Sequence, residues 1–199
     1  MLRTAGSSVA LSALGLPLFS ETKNRQSLST NEKRKILVVG AHPDDPETGC
    51  GGTIILLSRA GHEVVSLYLT RGEAGIKGKK YEEAAQIRTA EALKACKIMG
   101  ARAEFLSQID GSCEITPERY AEMHDFIRKE NPDIVLTHWP IDGHRDHRIC
   151  SVLVYDAWLK MNRSFELYYY EVESGQQTQL FAPTDFVNID SVVEDKHRA

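Results

Sequence analysis

Two short stretches carry the side chains that could do chemistry. His42-Pro-Asp44-Asp45-Pro-Glu47 places one histidine among three carboxylates, and His138-Trp-Pro-Ile-Asp-Gly-His144-Arg-Asp146-His147 places three histidines with two aspartates. Imidazole and carboxylate are both good ligands for zinc-like divalent ions. His42 and Asp45 lie three apart around Pro43, whose fixed φ shapes the turn, so both can reach one ion. His147 could complete a set of three protein ligands with positions left open for water, the pattern of a catalytic metal site; a structural site is closed by four. Water on such an ion has its pKa lowered toward neutrality and becomes a nucleophile. Asp44, left free beside Asp45, suits the general base, and His144 suits the group that protonates the leaving atom. Asp146 could orient one of the imidazoles. The plainer readings are that Asp44 and Asp45 cap a helix and that the second stretch is a solvated loop. Capping explains one acid and leaves the histidine and the second acid without a reason.

Such a site has to be held by a scaffold, and the pattern predicts one. Ile36 to Val39 is a short buried strand, Val64 to Leu69 a second, Arg102 to Leu106 a third and Asp133 to Thr137 a fourth. Thr53 to Ala60 reads as the first helix, ended by Gly61, and Tyr81 to Met99 as the second, ended by Gly100. Thr116-Pro117 opens a third helix running to about Glu130. Phe165 to Val172 reads as a strand near an edge and Phe186 to Ile189 as another, with a helix-like segment from Asp190. Alternating strands and helices predict an α/β fold with a mostly parallel sheet. Both clusters then follow strands at their C-terminal ends, where open α/β sheets bind ligands. Arg71 and Glu73 also follow a strand, either as a solvated ion pair or as substrate contacts. Dinucleotide binding is disfavoured: the glycines near the first turn never form G-x-G-x-x-G, and three acids would repel a pyrophosphate.

At 199 residues, 42% hydrophobic and 26% charged, the chain is one globular domain. A net charge of −4 offers no basic excess for nucleic acid, and no stretch is long enough to span a membrane. Residues 1–20 resemble a signal-like leader, uncharged between Arg3 and Glu21, and 21–34 a polar linker. This leaves 35–199 as the domain. The leader predicts export to the periplasm or medium, with a cytoplasmic location as the alternative. Cys50, Cys96, Cys113 and Cys150 have no metal-site spacing and read mostly as small buried residues.

Ala41-His-Pro-Asp-Asp-Pro-Glu47 and Gly143-His-Arg-Asp-His147, with Thr70-Arg-Gly-Glu, Arg88-Thr-Ala-Glu91 and Ile109-Asp-Gly111 between them, resemble the PIG-L or LmbE-like zinc-dependent de-N-acetylases. That family is typified by N-acetylglucosaminyl-phosphatidylinositol deacetylase, and the resemblance runs from about Lys33 to Ile189. It implies a Rossmann-like three-layer α/β/α sandwich. It also implies hydrolysis of an N-acetyl group from an N-acetylglucosamine unit in a small-molecule conjugate. On the matching positions it implies metal binding by His42, Asp45 and His147, with zinc the expected ion and ferrous iron the alternative. Asp44 would then be the general base and His144 the acid or oxyanion stabiliser, while Arg71 and Asp110 would contact substrate. Members of the family usually extend further, so the C-terminus is expected to be incomplete. The alternatives are an amidase for a larger acyl group and a catalytically silent sugar-binding domain.

Overall fold

The computed structural model describes residues 32–173 and 175–199. The expected leader and all but the last residues of the expected linker lie outside them. Five strands, β1 (Lys35–Gly40), β2 (Glu63–Tyr68), β3 (Arg102–Phe105), β4 (Ile134–His138) and β5 (Glu166–Tyr170), form one sheet in the order β3-β2-β1-β4-β5. Every pairing is parallel. Helices α1 (Asp45–Arg59), α2 (Tyr81–Met99), α3 (Pro117–Glu130) and α4 (Arg145–Lys160) follow the first four strands, and a short α5 (Val193–Arg198) ends the chain.

Alternation along β1 builds two cores. Leu37 and Val39 face Met123 and Ile127 of α3 and Leu153 and Val154 of α4. Ile36 and Val38 face Ile54 and Ile55 of α1 and Ala92, Ala95 and Met99 of α2. The result is the three-layer α/β/α sandwich that the strand–helix alternation and the resemblance led us to expect. A strand buried on both faces needs an unbroken apolar run, and Ile36-Leu-Val-Val39 supplies it.

Four elements differ from expectation. The first helix starts at Asp45, eight residues before Thr53. Gly49, Gly51 and Gly52 disguise its first turns, and packing explains two of them. A Cβ on Gly49 would lie 2.4 Å from Tyr170 Cδ2, and one on Gly52 would lie 2.6 Å from Ile189 Cγ2. Helix α4 was not anticipated beyond one turn at His144; its Ile149 and Val154 favour strands in isolation, and burial against the sheet overrides that preference. Phe186 to Ile189 is not a strand, and Phe186 is 84% exposed. The segment read as a strand over Phe165 to Val172 shortens to β5, which does lie at an edge. All four cysteines are buried and unpaired.

Candidate active site

The sheet order reverses direction at β1 and β4, which are neighbours in the centre, and both clusters emerge there. The turn after β1 ends on Asp44, the N-cap of α1, at φ 109°. A non-glycine residue in this region is strained by about 1–3 kcal/mol, a cost that concentrates at functional sites. Glu47 accepts the Asp44 backbone N–H at 3.1 Å. Arg88, reaching over from α2, donates to Asp44 Oδ2 at 2.5 Å and to the Pro43 carbonyl. The turn is thus fixed from both sides.

His42, Asp45 and His147 are brought together. His42 Nδ1 lies 3.4 Å from Asp45 Oδ2, and His147 Nε2 lies 3.2 Å from Asp45 Oδ1. The two imidazoles stand 5.3 Å apart, centroid to centroid. The opposite nitrogen of each ring faces further carboxylates. His42 Nε2 is 3.2 Å from Asp146 Oδ2 and 3.1 Å from Asp110 Oδ1, and His147 Nδ1 is 3.2 Å from Asp142 Oδ1. A histidine that ligates a metal through one nitrogen usually donates its other N–H to such a group. Three overlapping trios could each hold an ion: His42–His144–His147, Asp45–His138–His147 and His42–Asp110–Asp146. The first shares His147 with the second and His42 with the third, so together they describe one continuous cluster.

Electrostatics point the same way. Burial opposes a proton on His42, yet hydrogen bonds with Asp110, Asp146 and Asp45 outweigh it and push the pKa up to about 12. Burial also works against a charge on Asp45, but His138, His147 and His42 hold its carboxyl well below the usual range. Asp146 is buried too, and its hydrogen bond with His42 brings it to about 2. The cluster is rich in carboxylate charge and calls for a cation. Asp44 keeps a side chain 61% exposed at the cavity mouth, where partial loss of solvent and then the neighbouring Asp45 raise its carboxyl despite Arg88. His144 is shifted downward by burial and by the charges of His42 and His147. Its Nδ1 accepts the Asp146 backbone N–H at 3.2 Å, capping α4.

A cavity of about 340 Å³ opens over this cluster, lined by His42, Asp44, Asp45, Asp110, His144 and His147 among others. Its size suits a small molecule. Arg71 is elsewhere: its guanidinium lies 4.7 Å from the Phe105 ring centroid and reaches Thr89 at 3.4 Å. It forms no solvated pair with Glu73, because Glu73 turns inward to accept the backbone N–H groups of Arg71 and Asp110. Asp110 is buried, with Oδ1 on His42 and Oδ2 accepting the Ala74 N–H.

Three residues stand in the site without having been assigned work from sequence. Arg88 holds Asp44, and no local pattern could reveal a contact 44 residues away. His138 is fully buried, stacked on His147 at 4.0 Å, with Nε2 3.1 Å from Asp45 Oδ2. Asp142 sits behind His147. The density of the second cluster was the available signal for the last two.

Residues 37–158 match the family described as PIG-L: GlcNAc-PI de-N-acetylase. Diacetylchitobiose deacetylase of Thermococcus kodakarensis is 34% identical over 183 residues, covering 85% of this chain and 68% of its own. A relative with a different activity in its name, 4-oxalmesaconate hydratase of Pseudomonas putida, is 26% identical over 196 residues, covering 89% and 75%. The solved N,N'-diacetylchitobiose deacetylase from Pyrococcus horikoshii shares the fold, with a TM-score of 0.75 at 22% identity over 98% of this chain and 79% of that one. With its two signature clusters convergent on one cavity and its family match spanning most of the sheet, this chain belongs to the PIG-L de-N-acetylase family.

Proposed function

We propose that the protein is a metal-dependent hydrolase that removes the N-acetyl group from an N-acetylglucosamine-containing small molecule. One observation carries the metal reading. His42 Nδ1 and His147 Nε2 both face Asp45, while the far nitrogen of each ring is backed by carboxylates. These donors fit a divalent ion with N and O preferences, zinc or ferrous iron. When bound, such an ion supplies Lewis-acid polarisation of the amide carbonyl and makes water acidic enough to attack it near neutral pH.

The chain's own residues supply the rest. Asp44 lines the cavity next to the ligand Asp45 and takes the proton from the attacking water; its raised pKa improves it as a base. Because His144 Nδ1 accepts a backbone N–H, the proton of the neutral ring sits on Nε2. His144 therefore donates a hydrogen bond to the carbonyl oxygen as charge develops there, and the proton that Asp44 took from water passes to the amine nitrogen as the C–N bond breaks. Asp146 and Asp110 hold His42 in one orientation.

The hydratase relative makes addition of water to an unsaturated acid the second reading. Purified protein loaded with zinc or ferrous iron should release acetate and a free amine from N-acetylglucosamine conjugates. Consumption of an unsaturated tricarboxylate such as 4-oxalmesaconate without acetate release would favour the hydratase. Release of longer acids only would favour an amidase. Metal binding with no turnover would leave a binding domain.

A further inference from the structure

Asp142 is a carboxylate with no evident reason to be buried. Its side chain is wholly out of solvent, and leaving a charge there is costly unless its neighbours use it. Both oxygens are in use. Oδ1 accepts the His144 backbone N–H at 2.7 Å and lies 3.2 Å from His147 Nδ1. Oδ2 accepts the Thr178 hydroxyl at 2.9 Å.

His147 Nδ1 is itself buried and has no hydrogen-bond partner in line; Asp142 Oδ1 is close but off the N–H axis. If His147 ligates through Nε2, its proton must be on Nδ1. A small rotation of the ring then brings that N–H onto Asp142. Thr178 has a second role, since its hydroxyl also accepts the Val172 N–H at 2.9 Å. Around it the Gly143 N–H donates to the Gln177 carbonyl at 2.7 Å and the Gln179 N–H to the Ile141 carbonyl at 2.9 Å. This short ladder holds a segment whose Val172, Glu173 and Gln177 form one wall of the cavity.

We infer that Asp142 is a positioning residue with two separable tasks: its Oδ1 fixes the tautomer and aim of His147, and its Oδ2, through Thr178, anchors the cavity wall that carries Glu173 and Gln177. The inference rests on the metal-centre reading given above. It predicts different consequences for the two ends of the carboxylate.

The test compares wild type, Asp142→Asn and Thr178→Val. Zinc affinity is read by competition with a chromophoric chelator, geometry by the visible spectrum of the cobalt-substituted protein, and folding by thermal melting. Asp142→Asn should weaken zinc binding about 10–100-fold, the usual consequence of losing a carboxylate behind a ligating histidine, and should shift the cobalt spectrum. Thr178→Val should keep wild-type zinc affinity and spectrum while raising KM more than it lowers kcat. Unchanged affinity and spectrum in Asp142→Asn overturn the inference, as does equal loss of zinc in both variants, which would make Asp142 a loop anchor alone. If Asp142→Asn fails to fold, nitrogen NMR of histidine-labelled wild type with zinc decides: His147 must carry its proton on Nδ1, and a bare Nδ1 overturns the inference. Wild type that binds no zinc, ferrous iron or cobalt would instead bring down the metal centre itself.

Discussion

Asp44 and Asp45 are adjacent and chemically identical, yet the structure gives them opposite surroundings. Asp45 is buried between three imidazoles, whereas Asp44 sits strained at the cavity rim under Arg88. Losing a ligand should cost metal, and losing a base should cost rate. Asp44→Asn is therefore expected to keep its metal and lose about 10²–10⁴-fold in kcat, while Asp45→Asn should bind metal weakly and recover partly at excess zinc. Metal analysis beside steady-state kinetics checks both; an Asp44→Asn protein emptied of metal would reverse the roles. Arg88→Ala should also leave metal content unchanged and lower kcat, because Asp44 loses the cation that aims it. Arg88→Lys should restore only part of that activity, since one ammonium cannot replace a guanidinium fork that reaches Asp44, the Pro43 carbonyl and Glu91 together. At this scale the sequence disclosed candidate ligands by type and spacing, and it did not disclose the positively charged partner that Asp44 meets across the chain. His42, Asp45 and His147 announced themselves by type and spacing; Arg88 did not, and Arg71, chosen for its place after a strand, lies over Phe105 instead.

Helices α2 and α3 were legible to the residue because their ends are written chemically: Gly100 takes φ 76° after α2, and the Thr116 hydroxyl caps α3 by accepting the Arg119 N–H. The start of α1 was hidden because its glycines answer to tertiary contacts that local propensity does not contain. Glycine within a helix is normally less favourable than alanine by about 0.8–1 kcal/mol, so Gly49→Ala would ordinarily stabilise. Here the new methyl meets Tyr170, a buried ring whose hydroxyl donates to the Val39 carbonyl at 3.0 Å and which cannot easily give way. Gly49→Ala is expected to destabilise by about 1–3 kcal/mol, in line with overpacked cores, as read from denaturant midpoints at unchanged slope. A neutral or stabilising result would show that α1 can slide away from β5.

For the molecule as a whole, the parallel sheet delivers an excess of carboxylate to one point at the C-terminal ends of β1 and β4, and the bound cation should count toward stability. Without an ion, a proton on His42 takes its place. Its folded-state pKa of about 12 lies far above the ordinary 6.5 of the unfolded chain. A group raised in this way contributes stability that is fully present below about pH 6.5 and is lost as pH rises toward 12. Chelator-treated protein should accordingly lose thermal stability steadily on the alkaline side of neutrality. A metal that binds only the folded state supplies the missing charge and should stabilise by about 2.7 kcal/mol at a concentration one hundred times its Kd. Because His42 must shed its proton to ligate, binding should release protons and strengthen with pH. Melting curves with zinc and with chelator, taken from pH 6 to 9, should therefore diverge as pH increases. Curves that coincide at every pH would mean that this carboxylate-rich cluster does not take up the ion.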